Sequence, residues 1–167
     1  MSDTFLRQVN LERKAPGKLF LYPMPGLKES LQEFEAALER ERITLVVCLT
    51  SFEEIEWKSP KYALYLREHI SPTLVRHFPI PDFDIPKNIE AFLNLVTDLA
   101  CRIRNGENVL IHCAAGIGRT GTTAIATLMS LGFHYHDARK RVKQAGSYPE
   151  DSQEAFLTEL ARRLNAL

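Results

Sequence analysis

The sequence predicts a single α/β domain in which a mainly parallel sheet of four to five strands is flanked by helices. Three observations carry this. Ile43 to Thr50 and Val109-Leu110-Ile111 are apolar, largely β-branched runs with little polar alternation, as expected of strands buried on both faces beneath helices. Such runs alternate along the chain with segments of helical period, the order from which parallel sheets are built. A length of 167 residues suffices for one substantial core and is short for two.

Taken in order, residues 1–17 are polar, mixed in charge and end in Pro16-Gly17, and are expected to form a loosely packed lead-in to a domain over residues 18–167. Leu19-Phe20-Leu21-Tyr22 reads as the first strand, stopped by Pro23-Met24-Pro25-Gly26. Ser30 and Glu33 form a capping-box pair ahead of a helix that ends near Arg42, with Leu31, Phe34 and Leu38 on one face. After the Ile43–Thr50 strand, Glu53, Glu54 and Glu56 are expected in a loop. Ser59-Pro60 is a cap and first-turn pair for a helix over Lys61 to about Ile70, with Tyr62, Tyr65 and Leu66 on its packed side. Leu74 to Ile80 reads as a strand, and residues 87–104 as an amphipathic helix closed by Asn105-Gly106. The next strand, Val109–Ile111, leads through a glycine-rich loop to a helix over Thr120–Leu131. A short helix over Asp137–Ala145 and a terminal one over Asp151–Leu164 complete the chain, the last with Ala155, Phe156, Leu160 and Leu164 inward.

Twenty-one Lys and Arg balance twenty-one Asp and Glu, which argues against a bulk nucleic-acid binder. The densest basic cluster, Arg139-Lys140-Arg141 with Lys143, reads as a solvated helix face. The three cysteines, Cys48, Cys101 and Cys113, have neither metal-site spacing nor the density of a disulfide scaffold. Cys48 and Cys101 adjoin apolar stretches and are expected in the core. Without a signal-peptide pattern or a bilayer-length apolar run, the expected setting is the reducing cytoplasm with no membrane association. Oligomeric state is not legible.

The chemistry concentrates in Asn108-Val-Leu-Ile-His112-Cys113-Ala-Ala-Gly116-Ile-Gly118-Arg119-Thr120-Gly121. A strand ends in a histidine and a cysteine, and five residues of mostly small bulk separate that cysteine from an arginine at a helix start. Such a loop can turn successive N–H groups inward as an anion nest, reinforced by the helix N-terminus. Arg119 offers a planar fork to tetrahedral oxygens. A cysteine in that field is favoured as thiolate, so the stretch combines an oxyanion cradle with a nucleophile.

These residues resemble the HCxxGxxR(S/T) signature of the cysteine-dependent protein tyrosine phosphatases, complete from His112-Cys113 through Arg119-Thr120. The chain length is close to that of the small dual-specificity branch, and the similarity runs from roughly residue 40 to 160. The resemblance implies a phosphatase-like α/β fold and a two-step hydrolysis in which Cys113 attacks phosphorus. The loop Ala114, Ala115, Gly116, Ile117, Gly118 and Arg119 would hold the phosphate. His112 would brace the loop, and Thr120 would stabilise the thiolate.

In that family a proline-aspartate pair, followed by a second proline, supplies the proton for the leaving oxygen. Pro81-Asp82 with Pro86 matches the spacing, with Ile80 where the longer tyrosine-specific members have tryptophan. Asp82 is the expected acid and Asp84 its substitute. An acidic residue near Glu53, Glu54 or Glu56 would brace the loop, with the three not separable by sequence. A glutamine opening the last helix often positions water, a role for Gln153 weighed against plain surface decoration.

The scheme requires no metal or cofactor. The uncharged Ala114, Ala115 and Ile117 favour phosphotyrosine, with phosphoserine and phosphothreonine as further substrates, over phosphoinositides or RNA 5′-phosphates. A non-catalytic phosphoprotein-binding module is the alternative outside enzymes.

Overall fold

A computed structural model describes residues 5–68 and 72–167. The elements run β1 (Arg7–Gln8), β2 (Lys18–Tyr22), α1 (Leu31–Arg40), β3 (Ile43–Cys48), α2 (Phe52–Lys58), α3 (Pro60–Glu68), β4 (Leu74–His77), α4 (Ile89–Arg104), β5 (Asn108–His112), α5 (Gly118–Ser130), α6 (Tyr135–Gln144) and α7 (Asp151–Arg163). The sheet order is β1-β2-β5-β3-β4. Pairing is parallel from β2 to β4, and only β1 runs antiparallel. The fold is thus the expected α/β class, with five strands.

Strand alternation sorts the core into two layers. Leu19, Leu21, Leu45, Val47, Val109 and Ile111 face the helices α4, α5, α6 and α7. Phe20, Tyr22, Val46, Cys48 and Leu110 face Phe34 and Leu38 of α1, Ile55 of α2 and Tyr62 of α3. Each fully buried Leu, Ile or Phe side chain contributes about 2 kcal/mol through surface removed from water. The central strand β5 is covered on both faces, with Val109, Leu110 and Ile111 all fully buried. His112 ends β5 in register with Tyr22 on one side and Cys48 on the other. The loop that follows therefore emerges at the carboxyl edge of the sheet, between two anchored neighbours, where α/β sheets place their ligands.

Several elements depart from the sequence reading. Residues within the expected lead-in are part of the sheet: Arg7 and Gln8 pair with Leu21 and Phe20, and Val9 and Leu11 are buried. The two apolar side chains two residues apart anchor an edge strand among polar neighbours that masked it. Glu53, Glu54 and Glu56 lie in helix α2 rather than a loop. Ser51 caps it by accepting from the Glu54 N–H, and acids in the first turn complement the helix dipole.

Cys101 is exposed rather than in the core, because the inward stripe of α4 runs through Leu95, Val96, Leu99, Ala100 and Ile103 and passes it by. Ala155 is likewise exposed. The buried face of α7 carries Gln153, Leu157, Leu160 and Ala161, a stripe rotated from the expected one. The β4 ladder stops at His77, although Phe78 and Ile80 still donate backbone hydrogen bonds to Cys48 and Leu49. The expected helix end at Ile70 lies outside the described residues. Among those described, no helix is long and apolar enough to cross a membrane.

Candidate active site

The loop between β5 and α5 is held from outside by its carbonyls. The Cys113 carbonyl lies 3.1 Å from His112 Nδ1, and the Ala114 carbonyl accepts from the Met24 N–H at 3.0 Å. The Gly116 carbonyl accepts from Arg7 Nη2 at 2.7 Å and from Ser147 Oγ at 2.6 Å. In a planar trans peptide the N–H points opposite to the carbonyl. Anchoring these carbonyls outward therefore turns the N–H groups of Ala114, Ala115 and Ile117 the other way.

Gly116 makes the curl possible. Its φ is +75°, and an added Cβ would stand 2.6 Å from the Tyr22 carbonyl oxygen, so a side chain there meets both strain and a clash. Gly118 opens α5, whose N-terminus has no side-chain cap and so presents unpaired N–H groups and positive dipole to the loop.

The cavity over this loop has a volume of about 280 Å³ and is lined by the whole loop from Cys113 to Arg119 except Gly116, together with Lys58, Asp82, Phe83, Tyr148, Glu150 and Gln153. A larger, mainly apolar cleft of about 530 Å³ borders β4. None of the loop residues lines it; they line the smaller cavity. Cys113 is 2% exposed at its floor, and its Sγ accepts from the Gly116 N–H at 3.2 Å and from Thr120 Oγ1 at 3.0 Å. Two donors aimed at one sulfur suit a sulfur that carries negative charge.

Arg119 is buried, and both of its terminal nitrogens are engaged. Nη1 donates to Glu54 Oε1 at 2.8 Å and to the Ile80 carbonyl at 3.1 Å, while Nη2 donates to Glu54 Oε2 at 3.0 Å. Nη2 also lies 3.1 Å from Asp82 Oδ1. Burial works against the Arg119 charge, but Glu54, Cys113 and Asp82 outweigh it and hold the guanidinium above its ordinary range. The hydrogen bonds from Arg119, aided by Lys58 at 2.8 Å, overcome burial and lower the Glu54 carboxyl to about 2. Of the three acids that sequence left open, Glu54 makes the brace. Glu56 pairs instead with Arg67 at the surface.

His112 is completely buried, and burial, with a smaller contribution from the Arg119 charge, lowers it to about 4 against the bond to the Cys113 carbonyl. A carbonyl can only accept, so the neutral ring carries its hydrogen on Nδ1 and its Nε2 accepts from Tyr62 OH at 2.9 Å. Burial raises the Tyr62 hydroxyl well above its ordinary value, which keeps that donor protonated. This arrangement braces the loop and leaves the imidazole no proton to exchange with substrate.

The segment carrying Asp82 is folded over the cavity. Phe83 adopts φ +58°, and its carbonyl accepts from Ser152 Oγ at 3.2 Å. The Asp84 carbonyl accepts from Gln153 Nε2 at 3.0 Å. Asp82 lines the cavity, whereas the Asp84 carboxylate accepts from the Ile85 N–H at 2.8 Å and does not line it. Gln153 is fully buried with both ends of its amide engaged, since Oε1 also accepts from the Glu150 N–H at 2.8 Å. It is a tether between α7 and the acid segment.

Cys113, Arg119, Asp82 and Gln153 thus line one cavity, with His112, Thr120 and Glu54 bonded behind them, whereas Glu56 and the Asp84 carboxylate lie apart. Sequence reading missed the site roles of Arg7, Ser147, Tyr62 and Ser152, which act through hydrogen bonds across long sequence separations. The burial of Gln153 was signalled by the 153/157/160/161 spacing.

Fold and site together place the chain in the cysteine-dependent protein tyrosine phosphatase superfamily, on its small, dual-specificity-like branch. The family model described as "Polymorphic toxin system, DSP-PTPase phosphatase" matches residues 23–133, and the chain belongs to that family. The kinase associated phosphatase, in a structure with its catalytic-site cysteine replaced by serine, superposes with a TM-score of 0.82 at 21% identity over 100% of this chain and 99% of that one. A mutant form of Tk-PTP matches with a TM-score of 0.69 at 30% identity, over 89% of this chain and 93% of the other. A 45-residue stretch is 47% identical to the tyrosine-protein phosphatase non-receptor type 61F of Drosophila melanogaster, and spans 25% of this chain but 8% of that protein.

Proposed function

We propose that the domain hydrolyses phosphoprotein monoesters, phosphotyrosine foremost and phosphoserine or phosphothreonine in addition, through a phosphocysteine on Cys113. The observation that carries this reading is the 3.1 Å contact of Asp82 Oδ1 with Arg119 Nη2. It brings a carboxyl group to the cavity that has the Cys113 sulfur at its floor.

In the first step the Cys113 thiolate attacks phosphorus in line with the ester oxygen. The loop N–H groups and Arg119 take the charge of the equatorial oxygens. Asp82 gives its proton to the departing oxygen, so that an alcohol rather than an alkoxide leaves. In the second step the Asp82 carboxylate takes a proton from water, which attacks phosphorus and releases inorganic phosphate. Thr120 stabilises the departing Cys113 thiolate through its 3.0 Å bond. Gln153, adjacent to the same space, is proposed to hold the acid segment in place and to help orient that water. The thiol must stay reduced, which suits the proposed cytoplasmic setting.

The choice of phosphoprotein substrates rests on the uncharged Ala114, Ala115 and Ile117. Lys58 is the one lysine lining the cavity, and Glu54 already engages it. Little positive charge is left over for the further phosphates of a phosphoinositide or an RNA 5′-triphosphate. The test is a substrate panel of phosphotyrosine peptide, phosphothreonine peptide, phosphoinositide and RNA 5′-triphosphate, with Cys113→Ser as the control. Turnover of the peptides well above the other two supports the proposal. Preference for either polyphosphorylated substrate contradicts it, as does tight peptide binding without phosphate release under reducing conditions.

A further inference from the structure

Arg7 is a cation outside the cavity whose hydrogen bonds reach the loop that forms the cavity floor. Arg7 sits in β1, the two-residue edge strand, and reaches over β2 to the outer side of the phosphate loop. Its Nη2 donates to the Gly116 carbonyl at 2.7 Å, and its Nη1 donates to the Ala145 carbonyl at 3.1 Å and to Ser147 Oγ at 2.9 Å. Ser147, itself fully buried, donates in turn to the same Gly116 oxygen at 2.6 Å. One carbonyl of the phosphate loop thus has two side-chain donors, which are bonded to each other. They come from opposite ends of the chain.

We propose that Arg7 is a positioning residue of the phosphate loop, which with Ser147 fixes the Gly116–Ile117 peptide so that the Ile117 N–H faces the bound oxyanion. The orientation follows from peptide planarity: with the carbonyl held toward Arg7, the Ile117 N–H points away from it, and Ile117 lines the cavity. Gly116 needs such a hold. A glycine is the residue whose flanking peptides most readily flip; the peptide before Gly116 is held by its N–H bond to Cys113 Sγ, and the peptide after it is held by Arg7 and Ser147. An ordinary structural arginine would satisfy carbonyls anywhere on the surface. This one spans the loop and the α6–α7 connector. It also feels the negative charge of Cys113, which partly offsets the lowering of its guanidinium by burial.

The proposal rests on the phosphatase reading of the cavity, so its test separates binding from turnover. Tungstate serves as the oxyanion probe, measured by calorimetry beside aryl phosphate kinetics and thermal unfolding, for the wild-type protein, Arg7→Met, Arg7→Lys, Ser147→Ala and Arg7→Met/Ser147→Ala. Removing one preorganised donor from an oxyanion site weakens it substantially, so Arg7→Met should bind tungstate about tenfold more weakly and lose about tenfold or more in kcat, with a smaller change in KM. Arg7→Lys should recover much of both, because its ammonium can still reach the Gly116 oxygen. Each donor alone holds the carbonyl less firmly than the pair, so the double variant should lose more than either single variant.

A folded Arg7→Met protein with unchanged tungstate affinity and kcat overturns the proposal. If Arg7→Met fails to fold, Arg7→Gln, whose shorter neutral side chain replaces the guanidinium that bonds Gly116 and Ser147 together, takes its place, and unchanged tungstate affinity and kcat in that variant overturn the proposal equally. Wild-type protein that binds tungstate but releases no phosphate refutes the hydrolase reading alone, and Arg7 is then judged on binding. Wild-type protein that does neither refutes the cradle and the role of Arg7 with it.

Discussion

Glu54 and Arg119 meet as a two-pronged pair, with Nη1 2.8 Å from Oε1 and Nη2 3.0 Å from Oε2. The remaining contacts of those two nitrogens go to the Ile80 carbonyl and to Asp82. The guanidinium plane is therefore fixed before substrate arrives. A phosphate that takes Nη2 must do so by displacing Asp82.

Glu54→Gln removes the charge and one prong, leaving Arg119 buried with a weaker partner. Breaking one side of a buried pair is destabilising by about 3 kcal/mol, and loss of the fixed plane should lower kcat/KM by about tenfold to a hundredfold. Glu56→Gln loses only a surface pair with Arg67 and should change stability by less than about 0.5 kcal/mol. Thermal unfolding and steady-state kinetics of the two variants check the contrast.

Asp82→Ala should separate affinity from rate. Removing the carboxylate frees Arg119 Nη2, so tungstate or phosphate should bind more tightly. Loss of the proton donor should lower kcat, and more for an alkyl than for a good aryl leaving group. Equal losses with both leaving groups would remove the acid role. Asp84→Ala, whose carboxylate does not line the cavity, should leave this leaving-group dependence as it is in the wild type.

His112 makes stability depend on pH. Its folded-state value of about 4 lies below its ordinary 6.5, so across that interval the unfolded chain binds more protons than the folded one, and stability must fall as pH falls. The loss from pH 7 to pH 4 amounts to about 3 kcal/mol. Glu54, lowered from 4.5 to about 2, adds a loss of the same sign, but only below about pH 4.5. Urea unfolding at pH 7, 6, 5 and 4.5 measures the histidine window, and a flat profile there would contradict a buried neutral His112.

Gln153→Ala cuts the bond to the Asp84 carbonyl and the cap on Glu150 at once. The acid segment should then open more readily, seen as faster amide exchange over residues 83–85 and a reduced kcat. Ser152→Ala, which loses one bond at an exposed position, should show the same change to a smaller extent.

Much of this arrangement was legible from local pattern. The apolar run Val109–Ile111, the spacing from Cys113 to Arg119 and the two prolines around Asp82 each announce themselves within a few residues. What escaped depends on distance along the chain. Arg7 lies 109 residues from Gly116, and Glu54 lies 65 from Arg119, and no local period links them. Glu54 could be separated from Glu53 and Glu56 only once Ser51 was seen to start a helix. Cys101 was misplaced because apolar neighbours in sequence are not neighbours on a helix, where a rotation of one residue moves a side chain by about 100°.

The central claim is that Cys113 carries the phosphoryl group between the two steps. Acid quenching of enzyme mixed with excess aryl phosphate, followed by intact-mass and peptide analysis, tests it most directly. The account predicts one added phosphoryl group on the peptide containing Cys113, a stoichiometric burst of the leaving alcohol, and loss of both with turnover in Cys113→Ser. Undiminished hydrolysis by Cys113→Ser, or a phosphoryl group carried on another residue, would contradict it.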